Sequence, residues 1–156
     1  MADQLAILQK TWDRLQSVPK AGHIFGRLVG RMAPYSGTIN PIVRDLKRGY
    51  ARVEMRDRKK VRNHLKSIHA VALMNLAEVS SGLAFTYSLP PKTRAILTGL
   101  EIDYLKKARG TLTAECTCEI PENNERAEYI VEVITRDTAG DIVTRARAKW
   151  LIGPLR

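Results

Sequence analysis

Residues 69–85 read HAVALMNLAEVSSGLAF, a stretch with apolar side chains on nearly every side of a helix. A helix that is apolar all round is buried over most of its circumference. The few polar residues within the stretch, Asn75, Glu78, Ser80 and Ser81, make it too polar to span a membrane. These residues therefore predict a long helix in the centre of the protein core.

Alternation of apolar and polar side chains marks the segments outside this helix. It appears in residues 50–56, 112–120 and 142–150, and a period of two is typical of half-buried strands. Two more strand-like stretches cover residues 94–105 and 129–136. Consecutive strands with short turns pair in antiparallel fashion, and their apolar faces need a cover. The sequence therefore predicts an α+β fold, a curved antiparallel β-sheet wrapped around the central helix, which is the hotdog arrangement.

Two further helices precede this core. The apolar side chains of the first, residues 3–16, recur at helical spacing: Leu5, Leu8, Trp12 and Leu15. A second helical stretch covers residues 20–32, and Pro34, Ser36 and Gly37 mark a turn into extended chain. A length of 156 residues fits one domain, here an N-terminal helical extension at residues 1–33 followed by the core at residues 37–156.

The formal net charge of +10 is the strongest compositional bias. It would attract nucleic acid, an anionic membrane or a polyanionic small molecule, without choosing among them. Lys and Arg are spread along the chain and no aromatic-rich strand suits base stacking, so we expect no nucleic-acid partner. The first residues lack the charged and apolar regions of a signal peptide, which predicts a cytoplasmic protein.

Cys116 and Cys118 are two residues apart in a predicted strand. Their side chains therefore lie on one face, which is not the geometry of a disulfide, and two thiols alone make a poor metal site. We expect small core residues at these positions, and neither a metal nor a cofactor.

Glu78 is the most informative residue of the central helix. A carboxylate midway along a buried helix is costly unless it is paired or lies in a pocket, and partial burial raises its pKa toward the range of a general base. Asn75 and Ser81 lie three residues before and after it, so one polar stripe that could contact substrate follows the helix. The alternative is a structural carboxylate at a subunit interface.

His69 lies where a loop becomes the central helix. The unpaired backbone N–H groups of the first helical turn, such as that of Ala70, can bind a carbonyl oxygen or an anion. His69 and Glu78 are separated by about 900° of rotation and ~13 Å of rise, so they point in opposite directions. If both serve one reaction, a second subunit must supply one of them. We therefore expect a homodimer or homotetramer.

The chain resembles the hotdog-fold thioesterases of the phenylacetate-pathway type in the spacing of Asn63, His69 and Glu78 and in the strand end IDYLKKA at residues 102–108. That family builds its site across a dimer from an Asn, a His-Gly-Gly turn at the helix start and an acidic residue nine positions after the His. The resemblance covers residues 61–150 and is strongest to an uncharacterised, thioesterase-related branch. It implies a hydrolase whose substrate is an acyl-CoA or related thioester.

The resemblance also implies a role for each matching residue. Glu78 would act as general base or nucleophile, the N–H of Ala70 would polarise the thioester carbonyl, and Asn63 would orient water or the thioester. His69 would shape the helix start, and Thr98 would supply a hydroxyl from the next strand. Five basic residues are candidates for holding CoA phosphates, the alternative being solvated surface: Arg58, Lys60, Arg62, Lys106 and Lys107.

Ala70 and Val71 stand where that family has Gly-Gly, and a Cβ there hinders close approach of a thioester. This departure favours a second class of function, a non-catalytic protein that binds acyl-CoA or fatty acyl groups. A dehydratase or hydratase on the same fold would place its His and acidic residue at a different spacing. Nucleic-acid binding is supported by net charge alone.

Overall fold

The computed structural model describes residues 2–155, with side chains from residue 5 onward. Three helices come first: α1 (Ala2–Leu15), α2 (Ala21–Met32) and the single turn α3 (Pro34–Gly37). The hairpin of β1 (Ile42–Lys47) and β2 (Tyr50–Met55) leads through a 3₁₀ turn (Lys59–Val61) to the central helix α4 (Ala70–Tyr87). The remaining strands are β3 (Thr93–Tyr104), β4 (Leu112–Thr117), β5 (Ala127–Arg136) and β6 (Ile142–Pro154).

The six strands form one antiparallel sheet in the order β1-β2-β4-β5-β6-β3. Helix α4 connects β2 to β3 and contacts every strand of the sheet. The strands at the two edges are therefore β1 and β3. This arrangement confirms the predicted α+β hotdog fold with additional N-terminal helices.

Helix α4 is held by an apolar core. Leu76, Ala77 and Phe85 have no exposed surface, and the ring of Phe85 packs against those of Tyr129 and Trp150 at centroid distances of 5.3 and 6.1 Å. Complete burial of a side chain such as Leu or Phe contributes about 1.5–3 kcal/mol to folding. The core therefore fixes the position and rotation of α4, and with them the residues that it presents on its open side.

Strand β1 is the one strand that the sequence patterns do not reveal. Its pairing with β2 shifts register between Val43 and Asp45, which marks a β-bulge. A bulge inserts one extra residue and interrupts the alternation of faces, so the apolar period of two is lost at this point. The chain from Ile42 to Lys47 consequently reads as irregular although it forms an edge strand.

The edge of β1 is covered by α2. A Cβ atom on Gly22 or Gly26 would lie 2.1 Å from the carbonyl oxygen of Val43 or 1.8 Å from that of Pro41, so only glycine permits this approach. The indole Nε1 of Trp12 in α1 donates a hydrogen bond of 2.8 Å to the carbonyl of Leu46. Covering an edge in this way protects it from pairing with other chains.

Residues 34–37 differ from the predicted turn because they form a complete helical turn, α3, with Pro34 in its first position. Proline is favoured there, since its missing N–H has no partner at a helix start in any case. A Cβ atom on Gly37 would lie 2.9 Å from the Cα of Gly30, so α3 packs directly on the backbone of α2. This packing places α3 beside the middle of α4.

The two cysteines are free thiols, Cys116 buried and Cys118 partly buried, as expected for core residues. Burial raises the pKa of the Cys116 thiol to about 12 and that of Cys118 to about 11, so both stay protonated. Among residues 2–155, no cluster of His, Cys, Asp or Glu side chains is suited to a metal ion. None of the helices described is long and apolar enough to cross a membrane.

Candidate functional site

Glu78 lies on the open side of α4. It belongs to a stripe with Val71, Met74 and Gly82, which are spaced three or four residues apart and retain solvent exposure. Burial raises the pKa of the Glu78 carboxyl because removal of water disfavours the charged form, and a hydrogen bond from the hydroxyl of Ser36 acts in the opposite direction. Glu78 is thus a partly desolvated carboxylate with one hydrogen-bond donor directed at it.

Ser36 is a site residue that the sequence patterns missed. It is buried in α3, and α3 is fastened to α4 by Asn75, whose Nδ2 donates to the carbonyl of Tyr35 at 3.0 Å and to Oγ1 of Thr38 at 3.3 Å. Arg58 adds a hydrogen bond of 3.1 Å from Nη2 to the Thr38 carbonyl. Forty-two residues separate Ser36 from Glu78 along the chain, so no local spacing pattern links them.

The other side of the Glu78 carboxylate is bordered by Trp150. A Cβ atom on Gly82 would lie 3.3 Å from the indole ring and 3.9 Å from Oε1 of Glu78, so carboxylate and ring share the space above this glycine. The indole Nε1 donates to Oγ of Ser81 at 3.3 Å. The aromatic wall keeps the carboxylate in a less polar environment than bulk water, which is consistent with the direction of its pKa shift.

Asn75 and Ser81 require a correction to the expected substrate-contacting stripe. Asn75 is 7% exposed and holds α3, while Ser81 has no exposed surface and hydrogen-bonds Trp150 and the Glu78 carbonyl. Their polar groups are satisfied within the protein, as buried polar groups generally are. Both side chains therefore hold the surroundings of Glu78 in place and do not reach a substrate.

The start of α4 has the geometry expected from the sequence. His69 is the N-cap residue, and its Nδ1 accepts the backbone N–H of Val71 at 3.1 Å. Ala70 follows as the first helical residue and is exposed. Within residues 2–155 the N–H of Ala70 has no acceptor, so it remains the donor with which the helix start can bind an oxygen atom.

A groove of about 360 Å³ opens beside this helix start. Its lining includes four residues that the sequence predicted, together with Tyr104: Asn63, Ala70, Lys106 and Lys107. The Tyr104 hydroxyl donates to the carbonyl of Ala70 at 3.0 Å, and burial raises its pKa. The fold therefore brings the strand end at residues 102–108 against the helix start.

Asn63 shapes the loop that leads into α4. Its Oδ1 accepts the N–H groups of Leu65 at 2.9 Å and of Ser67 at 3.2 Å. Side-chain acceptance of a nearby backbone N–H is how Asn stabilises turns. The Nδ2 group of Asn63 makes no hydrogen bond within the described chain, and it is the part of this side chain that can contact a ligand.

The basic residues proposed for CoA phosphates divide into two groups. Three of them are engaged: Lys106 pairs with Asp137 and Asp141 at 2.6 and 2.7 Å, Arg62 pairs with Asp57 at 2.6 Å, and Arg58 holds Thr38. Lys60 and Lys107 are exposed and form no ion pair within residues 2–155. Lys107, which lines the groove, is therefore the better placed of the two for a phosphate group.

Thr98 is the extra residue of a bulge in β3, between Leu97 and Gly99. Its side chain is exposed, and Oγ1 donates to the carbonyl of Lys149 at 3.2 Å. Leu97 pairs with Trp150, and the ring of Trp150 borders Glu78. Thr98 therefore lies close to the strand position that borders Glu78. The structure therefore places Thr98 nearer to the middle of α4 than to its start.

The described chain thus separates two sets of residues along α4. Asn63, Ala70 and Lys107 meet at the helix start, whereas Ser36 and Glu78 meet at its middle. Eight residues of helix correspond to about 12 Å between Ala70 and Glu78. One copy of the chain does not bring these two sets together.

A cavity of about 810 Å³ lies at the opposite end of α4, between α1 and the loop after α4. Its walls include Tyr87, Pro90 and Pro121. The Asp13 carboxylate in this cavity accepts the hydroxyl of Tyr87, whose pKa is raised to about 12. Because Asp13 and Tyr87 bind each other, neither group is free to act as a catalyst in this cavity.

Solved structures share this fold. One described as genomics APC5556 has a TM-score of 0.81 and 28% identity, and the alignment covers 95% of this chain and 99% of that one. PA5026 from Pseudomonas aeruginosa, described as a probable thioesterase, has a TM-score of 0.75 and 22% identity, with 82% and 92% covered. A hypothetical thioesterase from Streptococcus pneumoniae, solved with coenzyme A, has a TM-score of 0.65 and 20% identity, with 78% and 92% covered.

These likenesses confirm the hotdog fold found in thioesterases. No curated protein matches the sequence. The family described as Domain of unknown function (DUF4442) matches residues 21–152, which is most of the chain. The protein therefore belongs to the DUF4442 family.

Proposed function

We propose that this protein hydrolyses an acyl-CoA or related thioester at a site formed across the interface of a dimer. The observation that carries the proposal is Glu78, a partly desolvated carboxylate on the open side of the central hotdog helix with its pKa raised. A raised pKa brings a carboxylate closer to the range in which it accepts a proton efficiently near neutral pH. The coenzyme A bound to the Streptococcus pneumoniae neighbour supports a CoA thioester as substrate.

The proposed reaction is addition of water to the thioester carbonyl. Glu78 takes a proton from the water as its oxygen bonds to the carbonyl carbon, and the carbonyl oxygen becomes negatively charged. The N–H of Ala70 stabilises that oxygen. The carbon–sulfur bond then breaks, the carbonyl re-forms, and the leaving sulfur takes up a proton. The products are a carboxylic acid and free CoA thiol, so CoA enters as part of the substrate and no cofactor is required.

A second copy of the chain would bring the two sets of residues together. β3 is twelve residues long and has an unpaired edge, and its inward side chains Ala95, Leu97, Leu100 and Ile102 remain partly exposed. The inward residues Val131 and Val133 of β5, by contrast, are buried. Pairing of two β3 edges would cover these apolar groups and extend the sheet. It would also set the helix start of one subunit beside the helix middle of the other.

The test is release of free thiol from short, long and aromatic acyl-CoA thioesters by the wild type and by Glu78→Gln. The proposal predicts turnover of at least one thioester and a loss of about 100-fold or more in the variant. Gln has nearly the same shape as Glu, so an unchanged unfolding temperature would separate lost chemistry from lost structure. Turnover that survives in Glu78→Gln would remove Glu78 from the reaction.

A non-catalytic acyl-CoA-binding protein is the second candidate, and one feature of the helix start favours it. The N–H of Val71 is already bound to Nδ1 of His69, and Ala70 carries a Cβ, so the site has one free backbone donor fewer and less room than a glycine pair would give. The same assay decides between the two. Absence of turnover on every thioester, with tight acyl-CoA binding by both proteins, would establish the binding function.

A further inference from the structure

The positive charge of this protein is concentrated in its N-terminal part. Residues 1–66 contain 15 of the 26 Lys and Arg residues but 5 of the 16 acidic residues, so this part accounts for the entire formal charge of +10. Residues 14–44 contain no acidic residue at all. Lys and Arg are spread along the chain, but 11 of the 16 acidic residues follow residue 66, so the net charge is uneven although the cations occur throughout.

This acid-free part contains α2 and α3, and five of its residues form an exposed stripe that we call the α2 face. Four of its members are spaced three or four residues apart from the N-cap of α2 through that helix, and the fifth lies in α3, beyond the non-helical Ala33: Lys20, Ile24, Arg27 and Arg31, followed by Tyr35. All are exposed, and none of the three cations forms an ion pair with a side chain of residues 5–155. Their charges are therefore available to a partner.

The surroundings add further cations and a hollow. Burial lowers the pKa of His23 in α2, and the nearby charges of four cations lower it further: Arg44, Arg56, Arg27 and Lys20. A hollow of about 480 Å³ is lined by Arg27 and Arg31 together with Gly26, Gly30 and Gly37. A phosphate group bound there would meet two guanidinium groups, the side chains best suited to it.

Two members of the α2 face are not charged. Ile24 is 42% exposed and Tyr35 is 66% exposed, and they stand between and beside the cations. The phosphate backbone of a nucleic acid offers no apolar partner to an isoleucine. A bilayer does, since apolar side chains enter the region beneath the headgroups while tyrosine and basic residues stay at headgroup level.

We propose that the α2 face is a docking surface for an anionic phospholipid membrane. Arg27, Arg31 and Lys20 contact the lipid phosphates, and Ile24 and Tyr35 enter the headgroup region. The surface lies at the β1 edge of the sheet, which α2 covers, while the free β3 edge is at the opposite side. Docking is therefore compatible with pairing of two chains through β3, and it does not depend on thioester hydrolysis.

The test is co-sedimentation of the full chain with phosphatidylcholine vesicles that contain about 30% phosphatidylglycerol, compared with vesicles of phosphatidylcholine alone. The variant Arg27→Glu/Arg31→Glu removes the cations beside the hollow. The matched control Arg126→Glu/Arg145→Glu changes the net charge by the same amount at exposed positions in the neutral part of the chain. Circular dichroism melting confirms that each variant is folded.

We expect binding to the anionic vesicles alone, weakened more than tenfold in Arg27→Glu/Arg31→Glu and less than twofold in the control. Ile24→Ser/Tyr35→Ser should weaken vesicle binding several-fold and leave binding to a DNA duplex unchanged. Equal losses in both charge variants would overturn the proposal, because net charge alone would then explain the attraction. Binding to DNA that is tighter than to vesicles, with no effect of Ile24→Ser/Tyr35→Ser on the vesicles, would assign the surface to nucleic acid instead.

Discussion

The first turn of α4 and its middle both carry candidate site residues, but their polar groups are used differently. At the start, Oδ1 of Asn63 and Nδ1 of His69 are engaged in the local backbone, and Lys106 is bound to two aspartates. At the middle, the Glu78 carboxylate is partly desolvated and receives a hydrogen bond from Ser36. In the proposed reaction the helix start would therefore contribute shape and a backbone donor, while the middle would contribute the reactive group.

The largest effect is expected from Ala70→Pro. Proline in the first helical position is well tolerated, and the extended backbone of His69, with φ −63° and ψ 140°, is the conformation that precedes proline. The substitution therefore removes the N–H of residue 70 while the helix is retained. Loss of one donor to a developing oxyanion lowers kcat by about 100- to 1000-fold. Steady-state thiol release with the preferred thioester measures it.

Ala70→Ser is the control for that substitution, because it alters the side chain and keeps the N–H. We expect it to retain activity within a few-fold of wild type. Equal activity of Ala70→Pro and Ala70→Ser would contradict the role given to the helix start, provided that circular dichroism shows intact helix in both.

A smaller effect is expected from Ser36→Ala, which tests the middle of the helix. The Ser36 hydroxyl lowers the pKa of Glu78 by donating to its charged form, so removal of the hydroxyl raises that pKa further. The acid limb of the kcat/KM profile, which reports the free protein, should move to higher pH, with a loss of about tenfold below the new pKa. A shift to lower pH, or none, would exclude contact between the two residues.

Ser80→Ala provides the comparison for Ser36→Ala. Ser80 is also buried, here within α4, but its hydroxyl donates to the carbonyl of Leu76 in the same helix. The Ser80→Ala substitution should leave the acid limb of the kcat/KM profile at the same pH as in the wild type. Direct titration of the Glu78 carboxyl by carbon-13 NMR gives the same information without a substrate, so it remains valid even if the protein has no thioesterase activity.

The smallest effect on kcat is expected from Asn63→Ala. Because Oδ1 of Asn63 accepts two backbone N–H groups of its own loop, the substitution should reduce the free energy of unfolding by about 1–3 kcal/mol. The rate of the chemical step should change by a few-fold at most. Urea unfolding and thiol release on the same preparation measure both quantities. A kcat loss above tenfold with unchanged stability would give Asn63 the catalytic role that the family resemblance implies.

Most of the fold could be predicted because most of its helices and strands each follow one hydrophobic pattern in the sequence. The largely apolar stretch ending at Phe85 predicted α4, and alternation predicted β2, β4 and β6. Two further strand-like stretches predicted β3 and β5, so only β1 was missed. That strand escaped because its bulge between Val43 and Asp45 breaks the alternation on which the prediction depends. The turn α3 escaped because its helical state follows from packing of Gly37 on Gly30, which is a tertiary contact.

The site could be predicted only where its residues are close in sequence. His69, Ala70 and Glu78 lie on one helix, so their separation follows from helical geometry. Ser36 comes from a distant segment, and no pattern relates it to Glu78. Asn75 and Ser81 were misread for the opposite reason, because a polar residue on an apolar helix looks the same in sequence whether it contacts substrate or a neighbouring segment.

The most direct test of the central claim, that one subunit supplies Glu78 and its partner supplies the helix start, is complementation between two inactive variants. Glu78→Gln and Ala70→Pro are unfolded together, mixed in equal amounts and refolded. Half of the resulting dimers then contain one subunit of each variant. In such a dimer, one of the two sites has both the Glu78 carboxylate and the N–H of residue 70 intact. The account predicts recovery of about a quarter of wild-type activity. Mixed dimers that form, as native mass spectrometry would show, but remain as inactive as their parents would contradict it.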